Sequence, residues 1–342
     1  MERLRLAVAL PHLGVYGGVR RFLELGRIWS ERGHDVALAT PPDPRAAPWL
    51  PFPGRLVPID ALTRERWDAL ITPDPALFEA IRLDGALRVF YAVLEKAPGA
   101  REAWRSADLV LANSRGMARH LRRRGVHAVE APGGVNLATF HPPKEEARPR
   151  SGRSDAPVCA LVYGRLSRRR KGSLAAAQAV DRAARRAGVE VTLTLFDSPP
   201  PGEPPPPERL PLSIPHRWVI HPSQETLVGL YGEADLFVSA ERRAGWCNTA
   251  AEAMACGAAV VCTRSGAEDF ACHGETALVS RFPWTWTLAR HVTALLRDPD
   301  RRARIAAGGR RRIQEFPWER TAATIEAALI ERLRSAQPGG KR

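Results

Sequence analysis

The chain has 342 residues, 44% hydrophobic and 26% charged, with a formal net charge of +14. That balance excludes wholesale disorder, and the length suits two cores better than one very large domain. No run of about 18 or more apolar residues occurs, which excludes a membrane-spanning helix of ordinary length.

Arg3 to Leu10 reads as a first strand, and no signal peptide is expected because no small-residue cleavage site follows it. A loop containing Gly14, Gly17 and Gly18 comes next. Val19 to about Arg32 is then predicted as a helix, with Phe22, Leu25, Ile28 and Trp29 at helical spacing. Val36 to Thr40 completes a βαβ unit. Its glycines do not form GxGxxG, so a dehydrogenase dinucleotide site is not expected. Pro41 to Pro58 reads as a surface excursion. Strands are then predicted at 68–72, 87–93 and 109–113, alternating with helices at 76–82, 101–107 and 114–124, the last capped by Ser114. Such alternation predicts a parallel, doubly wound α/β sheet.

Proline and charge between 142 and 157 mark a linker. A second series opens with the apolar run Val158–Gly164, followed by the cations of Arg165–Lys171 and a helix over 173–186. A strand end, cations and a helix N-terminus together make an anion cradle. Val189 to Phe196 is the next strand, and the proline-dense 198–215 is expected to be an exposed loop. His221 stands at the end of a short strand, 218–222. The stretch from Asp235 to Gly257 then reads as strand, glycine-containing turn and alanine-rich helix. Asn248 or Thr249 is expected to cap that helix, and its open N–H groups favour a phosphate. Glu252, one turn in, is placed to take a sugar hydroxyl. Helices are predicted at 285–297, 299–315 and from Phe316-Pro317-Trp318-Glu319 to about Arg334.

The stretch around Glu252 resembles the nucleotide-sugar signature of retaining glycosyltransferases of the GT-B architecture, family-four type (glycosyl transferases group 1). That signature runs from a strand and a serine through Glu-Gly-Phe-Gly to Glu-Ala-Met-Ala-x-Gly and an apolar strand. Ser239, Gly245, Trp246, Glu252, Ala253, Met254, Ala255, Cys256 and Gly257 follow it in order. Eight positions before Glu252, where the signature has its first glutamate, stands Ala244; the nearest acid is Glu241. Gly17-Gly18 with Arg32-Gly33-His34-Asp35-Val36 is similar to the family's opening, and Ala131–Pro142 to the close of its first domain. Gly164-Arg165-Leu166 and Lys171-Gly172 resemble its Gly-Arg-Leu…Lys-Gly, with Arg170 a second candidate for the lysine's role. Many relatives carry a histidine after the strand matching 87–93; here Tyr91, Glu95 and Lys96 stand instead.

The resemblance implies two Rossmann-like doubly wound domains facing across a cleft: residues 1–145 on the acceptor side, a linker at 146–157, and a nucleotide-sugar domain at 158–317. A helix at 318–335 is expected to cross back onto the first domain. It implies catalytic roles for Arg165, Lys171 and Glu252, the two cations neutralising a departing diphosphate. Donor contacts are implied at Gly17, Gly18, Gly245, Trp246, Cys247, Asn248, Thr249, His221 and Glu241. No metal and no cofactor is expected beyond the nucleotide sugar as co-substrate, and the acceptor is expected to be a cell-surface or lipid-linked glycan. The other readings are a degenerate GT-B protein that binds a nucleotide sugar or a partner enzyme without turnover, and a sugar-nucleotide epimerase of the same architecture.

The five cysteines, Cys159, Cys247, Cys256, Cys262 and Cys272, form no CxxC pair, which fits reduced thiols and a cytoplasmic protein. Almost all the positive charge is arginine. Codon bias explains arginine in place of lysine but not the excess of cations over acids. Peripheral contact with the anionic inner face of a membrane is therefore expected. Nucleic acid is not, since the cations are not interleaved with aromatics and no recognition motif occurs.

Overall fold

The computed structural model describes residues 2–42, 49–93, 98–143 and 156–336. The chain divides into two compact units: Met1–Gly134 together with Trp318–Arg342, and Val135–Pro317.

The first unit holds a seven-stranded sheet in the order β3-β2-β1-β4-β5-β6-β7. Its strands are β1 (Arg5–Ala9), β2 (Asp35–Thr40), β3 (Arg55–Pro58), β4 (Ala69–Thr72), β5 (Leu87–Ala92), β6 (Leu109–Ala112) and β7 (Val129–Glu130). Every strand pairing in this sheet is parallel. Central strands such as β4 (ALIT) are buried at every position, because a parallel sheet is covered on both faces and selects continuous apolar runs. Between the strands lie α1 (Gly17–Glu31), α2 (Pro75–Ala80), α3 (Ala100–Ser106) and α4 (Arg115–Arg122). Ser114 caps α4 as expected, its Oγ accepting from Met117 N at 3.1 Å. The sequence reading missed β3, which lies inside the proline-rich excursion. An exposed edge strand ending on Pro58 tolerates proline because its outer N–H groups need no partner.

The last helix, α10 (Trp318–Ala336), belongs to this first unit. Trp318, Ala322, Ile325 and Leu329 bury in one core with Phe22, Leu25 and Trp29 of α1. Thr321 donates to Pro132 O at 2.9 Å, and Glu326 accepts from Arg32 at 2.7 Å.

The second unit holds a six-stranded sheet in the order β10-β9-β8-β11-β12-β13. Its strands are β8 (Val158–Tyr163), β9 (Val191–Asp197), β10 (His216–Ile220), β11 (Leu236–Ser239), β12 (Ala259–Thr263) and β13 (Leu278–Ser280). Its helices are α5 (Ser173–Ala187), α6 (Gln224–Glu233), α7 (Asn248–Ala255), α8 (Thr285–Arg297) and α9 (Pro299–Ile313). This unit starts at Val135, before the expected boundary at 145. The reason is that Val135 and Phe140 are buried in its core, with Phe140 edge-on to Tyr231 and Val135 N bonded to Phe316 O at 2.9 Å. Most of the expected linker, together with Glu95 and Lys96, lies outside the described residues.

Candidate active site

The sheet order of the second unit reverses between β8 and β11. β8 connects through α5 to β9 on one side, and β11 connects through α7 to β12 on the other. A parallel sheet opens a crevice at the carboxyl ends of the strands flanking such a switch point. The segments that follow β8 and β11 are those carrying Arg165–Lys171 and Glu241–Cys247.

Lys171 is brought there by a backbone that only glycine allows. Gly172 has φ +64°, and a Cβ on it would lie 2.3 Å from Ala240 O. The chain therefore passes directly against the end of β11. Lys171 Nζ donates to Glu241 Oε2 at 2.6 Å, the lysine side chain 24% exposed and the glutamate 4%. Lys171, Glu241, Tyr163, Ser173, Ser239 and Thr249 line one small pocket. Burial raises the Glu241 carboxyl above its ordinary value, with the Lys171 charge opposing. Its backbone is anchored by Thr263, whose hydroxyl donates to Glu241 O.

Arg165 is 2% exposed. Its Nε donates to Asp197 Oδ1 at 2.6 Å, at the end of β9, and its Nη2 donates to Ser198 O. Tyr163 lies between the two cations, its ring centroid 6.0 Å from Arg165 Cζ and 5.7 Å from Lys171 Nζ. Both expected phosphate cations thus stand at the same strand ends, and each is already matched by a carboxylate. Arg170 is not an alternative lysine: its Nη1 donates to Arg243 O at 3.0 Å, tying two surface loops together.

Helix α7 starts at the switch point, but neither Asn248 nor Thr249 caps it. Cys247 holds the N-cap position, and no side-chain oxygen closes the first turn. The loop bonds Cys247 N to Gly266 O at 2.8 Å, which positions the cysteine there instead. Burial pushes the Cys247 thiol up, and the Glu241 charge adds to this, so it stays protonated and non-nucleophilic. Burial likewise pushes the Cys256 thiol up to about 12. Trp246 turns inward: it is 7% exposed and packs against Phe270 at 4.9 Å and Phe316 at 5.5 Å, anchoring the loop rather than lining the pocket. Glu252 is also buried, its Oε2 accepting from Tyr231 at 3.0 Å.

His221 follows β10 with φ +51°, alone among described non-glycine residues in a positive φ. Its N–H donates to Asp197 O at 2.8 Å, which sets it beside the Arg165 partner. Gly17 and Gly18 open α1 in the first unit, at the corresponding switch point between β1 and β4, and nothing lies within 4 Å of a Cβ built on Gly18. Tyr91 is a core residue: it is fully buried, donates to Ala131 O at 2.6 Å and lies beneath the Arg21 guanidinium at 4.8 Å.

Metal independence draws no support from a missing Asp-x-Asp, because the sequence contains one, Asp298-Pro299-Asp300. Asp298 Oδ1 accepts from Arg301 N at 2.7 Å, so this acid caps α9. A larger hollow of the second unit lies at the amino ends of the strands, lined by Cys159, Arg217, Asp235, Gly257, Arg302 and Arg311. It gathers none of the expected site residues. The chemistry is therefore assigned to the smaller pocket.

Residues 158–298 match the family model described as glycosyl transferases group 1. The likeness to that family lies in this stretch of the chain. Solved structures agree on the fold over nearly its whole length. Sucrose-phosphate synthase from Thermosynechococcus elongatus is 20% identical, with a TM-score of 0.73 over 98% of this chain and 100% of that one. A glycosyltransferase from Rickettsia africae is 15% identical, with a TM-score of 0.76 over 98% and 100%. Anabaena HepE, solved with UDP and glucose, is 16% identical, with a TM-score of 0.72 over 96% and 100%. No curated protein sequence matches the chain. The fold is thus of the GT-B type, and the family match lies within the unit that holds the Lys171–Glu241 pocket. No helix among the chain's described residues is long and apolar enough to cross a membrane.

Sequence reasoning missed Asp197 and Tyr163. Asp197 carried no local signal, since its partner Arg165 lies in a neighbouring strand's loop. Tyr163 stood directly before Gly164-Arg165 and could have been read as part of that cradle.

Proposed function

We propose that this glycosyltransferase moves a sugar from a nucleoside diphosphate donor to a cell-surface or lipid-linked glycan, with retention at the anomeric carbon and without a metal ion. The observation that supports the reading is that Lys171 and Thr249, in the first turn of α7, line one pocket at the switch point, with Arg165 in the segment that follows β8 there. Breaking the anomeric C–O bond leaves new negative charge on the diphosphate, and preplaced positive charge there lowers the barrier most. An ammonium has three donors, of which Glu241 takes one, so Lys171 can bind a phosphate oxygen while keeping its counter-ion. The backbone N–H groups of Asn248 and Thr249 extend the same cradle. In this reading Glu252 accepts from a ribose hydroxyl, and His221 borders the base. HepE, which was solved with UDP and glucose, supports a uridine donor as the first to try.

The experiment is a thermal-shift screen against UDP-, GDP-, ADP- and dTDP-sugars, followed by nucleotide release from the donor that binds. Release that falls at least tenfold in Lys171→Ala supports turnover at this pocket. A second reading, binding without turnover, is favoured by Ala244 and by the carboxylates already matched to both cations. Tight nucleotide binding with no release in the wild type would establish it.

A further inference from the structure

Three aromatic residues before and at the start of α8 are exposed: Phe282 by 38%, Trp284 by 47% and Trp286 by 48%. They are not scattered. Phe282 and Trp284 stack at 4.4 Å with an interplanar angle of 10°, and Trp286 lies 5.7 Å beyond at 32°. Arg281 lies over Phe282, its Cζ 5.4 Å from the ring centroid. The result is a column, Arg281–Phe282–Trp284–Trp286, with exposed Arg290 one turn further along α8.

The column lies at the same end of the second unit as Lys171. Helices α5 and α8 run parallel, since Thr285 at the start of α8 bonds Gln178 early in α5, and Arg297 at its end bonds Arg186 O. Exposed Leu174, in the first turn of α5, and exposed Arg169 just before it share that end.

We infer that the Arg281–Trp286 column is a docking surface for an anionic lipid bilayer. Exposed tryptophan side chains are amphipathic and settle at a headgroup boundary, which suits this patch to a bilayer surface. The charge is complementary too: Arg281 lies over Phe282 and exposed Arg290 follows Trp286 by one turn, on a chain of net charge +14. The inference does not depend on the donor reading, because vesicle binding is measured without nucleotide.

The test is co-sedimentation of the full chain with phosphatidylcholine vesicles, with and without phosphatidylglycerol at about one third of the lipid. The wild type is expected to partition onto the anionic vesicles and to be released by high salt. Trp284→Ala/Trp286→Ala is expected to lower the partition coefficient at least about tenfold, from lost apolar insertion. Arg281→Ala/Arg290→Ala is expected to lower it about thirtyfold, at roughly a factor of five for each cation near the surface. Unchanged thermal melting and nucleotide binding in both variants serve as the folding control. Failure of the wild type to bind anionic vesicles, or equal binding by both variants, overturns the proposal. So does capture by polysaccharide without capture by vesicles, or a dimer that Trp284→Ala/Trp286→Ala abolishes where no vesicle binding occurs.

Discussion

Replacing Glu241 by Gln isolates the counter-ion of Lys171 with little change of shape. The wild-type carboxylate sits 2.6 Å from Nζ. A phosphate oxygen bonded to the open side of that ammonium comes within about 5 Å of Glu241. One unit charge there is repelled by roughly 1.5–3 kcal/mol at an effective dielectric of about 20–40. Lys171 is 24% exposed, so screening favours the lower end. The expected outcome is nucleoside diphosphate binding about tenfold tighter in Glu241→Gln, read by isothermal titration calorimetry, with Lys171→Ala at least about tenfold weaker. The titration is repeated with the intact nucleotide sugar. If Glu241→Gln leaves the diphosphate unaffected and weakens only the nucleotide sugar, Glu241 holds the sugar in place of the absent Ala244 carboxylate. The counter-ion reasoning is then refuted.

The same residue sets a pH dependence. Burial raises the folded-state pKa of Glu241 above its ordinary 4.5. Its stabilising contribution is therefore fully present below that value and is lost as pH rises through the raised one. Urea denaturation should show wild-type stability falling relative to Glu241→Gln over that window; a gap that widens in favour of wild type contradicts this. Gly172→Ala combines a positive φ with a Cβ 2.3 Å from Ala240 O, and is expected to cost about 2–4 kcal/mol and to displace Lys171. Retained nucleotide affinity in that variant would argue against the placement of Lys171. Trp246→Ala should cost about 3–5 kcal/mol of stability, as for a core ring; a change confined to donor affinity would return Trp246 to the site.

The alternation of apolar runs and helical patterns made both sheets legible, because a parallel strand buried on both faces selects apolar residues along its whole length. The cap at Ser114 was legible too, since an N-cap is a contact within three residues. What escaped were contacts set by strand order. Arg165 pairs with Asp197 because β8 and β9 are neighbours, and nothing local to either residue records that. The cap of α7 escaped for a related reason: Gly266, from the loop after β12, fixes Cys247 through its carbonyl and takes the position from Asn248. Trp246 was read as a ligand contact from its place in a motif, whereas its neighbours Phe270 and Phe316, distant in sequence, draw it into the core.

The most direct test is a crystal structure of the chain with a nucleoside diphosphate sugar. The diphosphate is expected within hydrogen-bond distance of Lys171 Nζ and the N–H groups of Asn248 and Thr249, with Arg165 still paired to Asp197 alongside. A diphosphate bound at the hollow beneath the strands, or at any place out of reach of Lys171, would contradict the account.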